Sequence, residues 1–255
     1  LFVVILGQGS AGKALMRAEM PGPSKSSPQA RMQHTAWVLF LMYIGLNVTL
    51  TVLLLLENLS LFDALCHAFG TMATGGFSTY NASVGHFATD PRYNGPLIEM
   101  TITVFMLLAG TNFMLMYFVV IGRPRTLFGD LEWRTYVAII LAVTVMVVGF
   151  GLWHHDFDQA GMKQVPDPPG GEEADGQRVE DDEEKGRGPP VGRAFRYSLF
   201  QVTSIMTTTG FCTDNFDRWN SFGRGVLLVL MFIGGCAGST GGGLKVIRHI
   251  LFVKI

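Results

Sequence analysis

Cysteine is scarce in this chain, charge is scarce, and acid is nearly confined to one stretch. The three cysteines, Cys66, Cys212 and Cys236, are odd in number and widely spaced. That leaves neither a disulfide framework nor a zinc-ligand spacing. Only 15% of the 255 residues are charged, 49% are hydrophobic, and mean hydropathy is +0.33. This is too apolar and too charge-poor for an ordinary soluble domain. No basic tract points to nucleic acid. The net charge of −1 conceals a segregation: thirteen of the twenty acids lie between Asp156 and Asp217. A catalytic triad, a paired general acid and base, and a cofactor box are all lacking, so no enzyme class is indicated. Leu1 and Ile255 both sit in apolar runs, so the chain reads as an internal piece of a longer protein, with no signal peptide to interpret.

Long apolar segments are what the chain does have. A membrane-crossing helix needs about 20 apolar residues, and residues 35–56, 97–121 and 133–153 meet that need. Residues 222–253 are long enough but are interrupted by Gly234-Gly-Cys-Ala-Gly-Ser-Thr-Gly-Gly-Gly243. Residues 1–6 read as the tail of a preceding span. Residues 60–72 and 194–206 are shorter; at 1.5 Å per residue, about 12 residues cover only about 18 Å, which suits a helix that dips into the membrane and returns. Basic residues set the sidedness. Lys13, Arg17, Lys25 and Arg31 precede the first full span, Arg123, Arg125 and Arg134 follow the second, and Lys245, Arg248 and Lys254 close the chain. All fall on one side, the cytosolic one, if both dips enter from outside.

Each dip ends in the same short message. Phe69-Gly-Thr-Met-Ala-Thr-Gly-Gly-Phe-Ser-Thr79 and Thr203-Ser-Ile-Met-Thr-Thr-Thr-Gly-Phe-Cys-Thr213 align Gly76 with Gly210, Thr74 with Thr208 and Phe77 with Phe211. Glycine takes backbone angles closed to other residues, so consecutive carbonyls can point one way. Unpaired backbone survives within a bilayer only where it is buried in protein or lines a water-filled path. Carbonyls offered in this way coordinate a bare cation. The expected ion filter comprises Thr74, Gly75, Gly76, Phe77, Thr208, Thr209, Gly210 and Phe211. The competing reading, two polar loops that merely cap short helices, is weakened because two copies occur in matching span–dip–span contexts.

Other features are less directive. Asn112, within the second span, either faces the pore or bonds a neighbouring helix, the latter being favoured. Asp63, Asp214 and Asp217 either gather cations at the mouth or are surface acids, and Asp63 also suits a helix cap. His154-His-Asp-Phe-Asp158 reads as exposed loop rather than a metal site. Gly7-Gln-Gly-Ser-Ala-Gly-Lys13 imitates a phosphate loop, but Ala14 stands where a magnesium-binding Ser or Thr belongs, and Pro21-Gly-Pro23 stops any following helix. Residues 154–193, rich in Gly, Pro and acid, are expected to form a disordered external loop.

Taken together, the Thr74–Thr79 and Thr207–Phe211 motifs and Gly234-Gly-Cys-Ala-Gly-Ser-Thr-Gly-Gly-Gly-Leu-Lys-Val-Ile-Arg248 resemble the Trk/Ktr/HKT superfamily of potassium transporters, most closely the bacterial TrkH-type subunit. The resemblance covers essentially the whole chain except the acidic loop. It implies an all-α, potassium channel-like membrane protein in which four M1–pore helix–M2 units surround one pore. Residues 1–34 would be the end of the first unit and its linker, and 35–122 the second unit. Residues 123–153 would be the loop and M1 of the third unit, and 194–255 its pore helix, filter and broken M2. The resemblance also implies a gate made of Gly234, Gly235, Gly238, Ser239, Thr240, Gly241, Gly242 and Gly243. Six glycines in ten residues, each costing about 1 kcal/mol relative to alanine, cannot hold a stable helix. Close helix packing through small residues is the alternative for this segment. Further implications are K+ as the transported ion with no bound cofactor, a homodimer in the inner membrane lipid bilayer, and a cytosolic nucleotide-binding regulatory subunit. A sodium-permeable relative, a non-conducting scaffold and a nucleotide-dependent membrane enzyme using residues 7–13 are the competing functions.

Overall fold

A computed structural model describes residues 29–154, 190–214, 216 and 219–254. The expected span tail at 1–6, the glycine motif at 7–13 and most of the acidic loop lie outside the described residues, as does Asp217. Among the described residues there is no strand, only a bridge between Ile233 and Leu244. In chain order the helices are α1 (Gln29–Leu56), α2 (Leu61–Met72), α3 (His86–Thr89), α4 (Gly95–Ala109), α5 (Phe113–Val120), α6 (Arg125–Gly129), α7 (Leu131–Trp153), α8 (Pro190–Met206), α9 (Ser221–Leu230) and α10 (Val246–Lys254).

Helix starts follow from capping chemistry, in which a side-chain oxygen accepts an otherwise unpaired first-turn amide. Ser60 accepts from the Asp63 amide at 3.1 Å, Asp130 from Trp133 at 2.7 Å, and Asn220 from Gly223 at 2.6 Å. Residues Thr35–Leu56 and α7 have mean hydropathies of 2.3 and 2.4, and each is long enough to cross a membrane. Trp37, Leu41, Val48 and Leu56 on α1, and Leu141, Val145 and Trp153 on α7, point their apolar surface outward. That arrangement suits lipid rather than water.

Two departures from the sequence reading matter. The segment 97–121 is not one straight helix: α4 and α5 meet at 107° around Gly110–Asn112. The cause is an exchange of hydrogen bonds. In an unbroken helix the Ala109 carbonyl would accept from Phe113. Here Phe113 donates instead to the Gly238 carbonyl at 3.1 Å, and Ala109 accepts from the Thr240 amide at 3.2 Å. The Gly110 carbonyl likewise accepts from the Cys236 amide at 2.9 Å. Asn112 caps α5 by accepting from the Met114 amide at 2.9 Å. The second departure is at α8, which begins at Pro190, within the stretch expected to be loop; proline is well placed there because a first-turn amide has no helical partner to lose.

The break in the last apolar segment falls where the glycines are, between α9 and α10. α1, α2 and α4 pack together around Leu54, Met72, Ile98 and Met106, while α7, α8 and α9 enclose a second core around Tyr136, Val202, Met206 and Leu227. Phe200 and Phe211, from the second half, are buried in the first core. α8 also packs directly on α4.

Candidate functional site

The two repeated messages fold into the same turn. After α2, the amides of Ala73, Thr74, Gly75 and Gly76 fold back onto the carbonyls of Phe69, Thr71, Gly70 and Gly70, at 2.9, 3.1, 2.8 and 3.2 Å. After α8, the amides of Thr207, Thr208, Thr209 and Gly210 do the same to Thr203, Ile205, Ser204 and Ser204, at 2.9, 3.0, 2.9 and 3.3 Å. The backbone angles match as well: φ is 51° at Thr74 and 58° at Thr208, 63° at Gly76 and 88° at Gly210. All four amides of each loop are spent on the preceding helix. Among the described residues, no donor bonds the carbonyl oxygens of Thr74, Gly75, Gly76, Thr208 or Thr209.

The loops also lie side by side. A Cβ on Gly76 would collide with the Thr209 carbonyl oxygen and stand 3.0 Å from the carbonyl carbon of Gly210. The second loop is tied to the first repeat by the Cys212 amide, which donates to Ser83 Oγ at 3.2 Å, and by the Cys212 carbonyl, which accepts from the Gly85 amide at 3.1 Å. Phe211 is fully buried, stacked over His67 with ring centroids 5.8 Å apart. Its counterpart Phe77 is 80% exposed.

Different side chains brace the two loops from behind. In the first, Asp63 on α2 accepts from the Thr79 hydroxyl at 2.7 Å, the Tyr80 hydroxyl at 3.1 Å and the Ser60 hydroxyl at 2.7 Å. His67, one turn on, has Nε2 3.0 Å from Ser78 Oγ and Nδ1 2.8 Å from the Asp63 carbonyl. Asp63 is therefore buried behind the loop rather than free at a mouth. In the second, Tyr197 stands at the position equivalent to Asp63, and Asp214 at that of Tyr80, so acid and tyrosine have changed places. Asp214 is buried and accepts from Trp219 Nε1 at 2.9 Å. Ser204 Oγ, absent from the first copy where Gly70 stands, donates to the Phe211 carbonyl at 2.7 Å.

The glycine-rich segment passes beneath both turns. Thr74 Oγ1 donates to the Thr240 carbonyl at 3.1 Å, and the Gly242 amide donates to Thr208 Oγ1 at 2.7 Å. A Cβ on Gly241 would stand 3.2 Å from the Thr207 carbonyl oxygen, and one on Gly234 would collide with the Gly242 carbonyl oxygen. Gly235 and Gly238 lie against the bend of the second unit, at Gly110 and Asn112. Ser239 Oγ donates to the Cys236 carbonyl at 2.6 Å, while Gly243 is left-handed, with φ 69°, and rests on Gly234. All sixteen residues named for filter and gate are thus gathered into one region of the molecule. Asn112 lies at its edge, as a helix cap beside Gly238.

His67 and Ser204, which brace the loops, are residues that sequence reasoning missed. The only signal for His67 was its spacing of one helical turn from Asp63. No cluster of metal-ligating side chains occurs among the described residues.

Comparison with known proteins gives a consistent result. The family model for TrkH, a cation transport protein, matches residues 1–254. The potassium uptake protein TrkH of Salmonella typhimurium is 37% identical over 252 residues, covering 98% of this chain and 44% of that protein. TrkG of Escherichia coli K12 is 31% identical over 248 residues, covering 96% of this chain and 43% of that protein. The crystal structure of the potassium transporter TrkH from Vibrio parahaemolyticus superposes with a TM-score of 0.72 at 31% identity, covering 98% of this chain and 44% of that one. The chain thus spans less than half the length of the relatives it matches. With its paired glycine turns and apolar spans, it belongs to the TrkH family of membrane cation transporters.

Proposed function

We propose that this chain supplies two of the four units of a potassium-uptake pore. The observation that carries the reading is the pair of matching turns whose amides are spent inward and whose carbonyls at Thr74, Gly75, Gly76, Thr208 and Thr209 stand unbonded. Potassium would enter from outside, shed part of its water, and be held by the carbonyls around Gly76 and Gly210. It would then meet the glycine-rich segment 234–243, whose displacement opens the way. Uptake follows the electrochemical gradient, about 2.3 kcal/mol per charge for each 100 mV. Each turn offers only a short run of unbonded carbonyls, so discrimination among potassium, rubidium and sodium should be weaker than in channels with a longer carbonyl ladder. The chain acts by passing K+ and performs no catalysis. The basic loops face the cytosol, the filter faces outward from the inner membrane, and the working assembly is a homodimer with a cytosolic nucleotide-binding subunit. The names of the relatives, potassium uptake proteins of a Trk system, support this reading.

The test is rubidium uptake into vesicles holding a full-length TrkH-type subunit that carries this sequence, with potassium or sodium as competitor. Block by potassium but not by sodium is the expected outcome. Equal competition would mark a sodium-permeable pathway. No uptake, even with the regulatory subunit present, would return the scaffold reading.

A further inference from the structure

Glu132 belongs to none of the motifs legible in the sequence. It stands in the first turn of α7 and is 8% exposed. One of its oxygens, Oε1, accepts two backbone amides from far along the chain: Ala237 at 2.7 Å and Ile247 at 3.2 Å. Neither amide has a helical partner. Ala237 lies in the non-helical break, and Ile247 is in the first turn of α10, where amides have no carbonyl one turn back. An acidic group there also complements the positive end of the helix.

These two amides bracket the stretch 238–243. Within it lie Thr240, whose carbonyl takes the Thr74 hydroxyl, and Gly242, whose amide bonds the Thr208 hydroxyl. Lys245 ties the stretch to itself by donating from Nζ to the Gly241 carbonyl. A single carboxylate thus closes a loop around the part of the segment that touches both turns. Because one oxygen serves both bonds, withdrawal of the α7 start from Ala237 and α10 loses them together. Such all-or-none release is what a two-state element needs.

We propose that Glu132 is a positioning residue that latches the glycine-rich segment in its closed place. The inference rests on the gate reading given under Proposed function. It further assigns the start of α7, near the basic residues Arg123, Arg125 and Arg134, as the place from which movement is passed to the barrier.

The test is rubidium uptake into vesicles of the full-length subunit without a regulatory partner, at equal amounts of monodisperse protein. Glu132→Ala should raise uptake at least about tenfold, the effect of losing even one of its two charge-assisted bonds in a two-state equilibrium. Competition by potassium over sodium should not change, since the filter is untouched. Glu132→Gln keeps an acceptor oxygen and should rise by less; an equal rise would overturn hydrogen bonding as the cause. If Glu132→Ala does not fold, Glu132→Asp decides, because its shorter reach draws the shared oxygen away from both amides: uptake above wild type supports the latch, and uptake at or below wild type overturns it. Deleting 238–243 separates the latch from the gate. Raised uptake in the deletion without any rise in the Glu132 variants overturns the latch alone; no rise in either overturns the gate reading and the latch with it.

Discussion

Gly76 and Gly210 occupy equivalent turns but meet different neighbours. Both have left-handed φ, 63° and 88°, which disfavours any L side chain by about 1–2 kcal/mol. At Gly76 the added methyl also strikes the Thr209 carbonyl, whereas at Gly210 nothing lies within 4 Å. Gly76→Ala should therefore displace the neighbouring loop as well as its own. It is expected to cost more thermal stability than Gly210→Ala and to reduce potassium-over-sodium competition in rubidium uptake further. Equal losses would mean that the contact between the loops does not shape the filter. The pairing of glycines was legible in the sequence because it repeats. Their unequal surroundings were not, since contact with Thr209 depends on how the two halves meet.

Between elements, one link joining the units is a buried ion contact. Arg196 Nε of α8 stands 2.5 Å from Glu99 Oε2 of α4, and Glu99 is fully buried. Removing one charge leaves the other without compensation in a poorly solvating interior, a cost of about 3–5 kcal/mol. Arg196→Met should lower the thermal midpoint of the purified transporter markedly, and the double change Glu99→Gln with Arg196→Met should recover most of the loss. A double variant as unstable as the single one would show that the arginine acts through packing. The element boundaries show where sequence reasoning ends. Spans, dips and the glycine break follow from apolar length and from composition. The bend at Gly110–Asn112 does not, because the stretch is apolar on both sides and the partners that replace its helical bonds, Gly238 and Thr240, come from the next unit. Glu132 escaped for the same reason: its two amides lie more than a hundred residues away.

For the molecule as a whole, the sidedness inferred from basic loops has a direct reporter. Cys212 is partly exposed two residues past Gly210, while Cys236 is buried. A membrane-impermeant thiol reagent applied outside intact cells should label Cys212, potassium should slow the labelling, and Cys212→Ser should abolish the protected fraction. Labelling only from the cytosolic side would invert the topology. The paired helix-and-turn architecture could be read from the chain alone; the unlike surroundings of its two phenylalanines could not, since Phe77 lies bare while Phe211 stacks on His67 of the other unit.

Thr74 and Thr208 are β-branched residues held at positive φ, an arrangement that is rare and costs of order 1–3 kcal/mol each. Each is also the residue whose hydroxyl grips the glycine-rich segment below. The residues that steady the segment thus sit at the strained points of the two turns. Were the segment and the turns to shift together, reciprocity would require that whatever favours one arrangement of the segment also favours the ion that fits the matching arrangement of the turns, and to the same degree. Permeant ions in this family member would then act as effectors of their own passage, and affinity at the turns would register whether the path below is open.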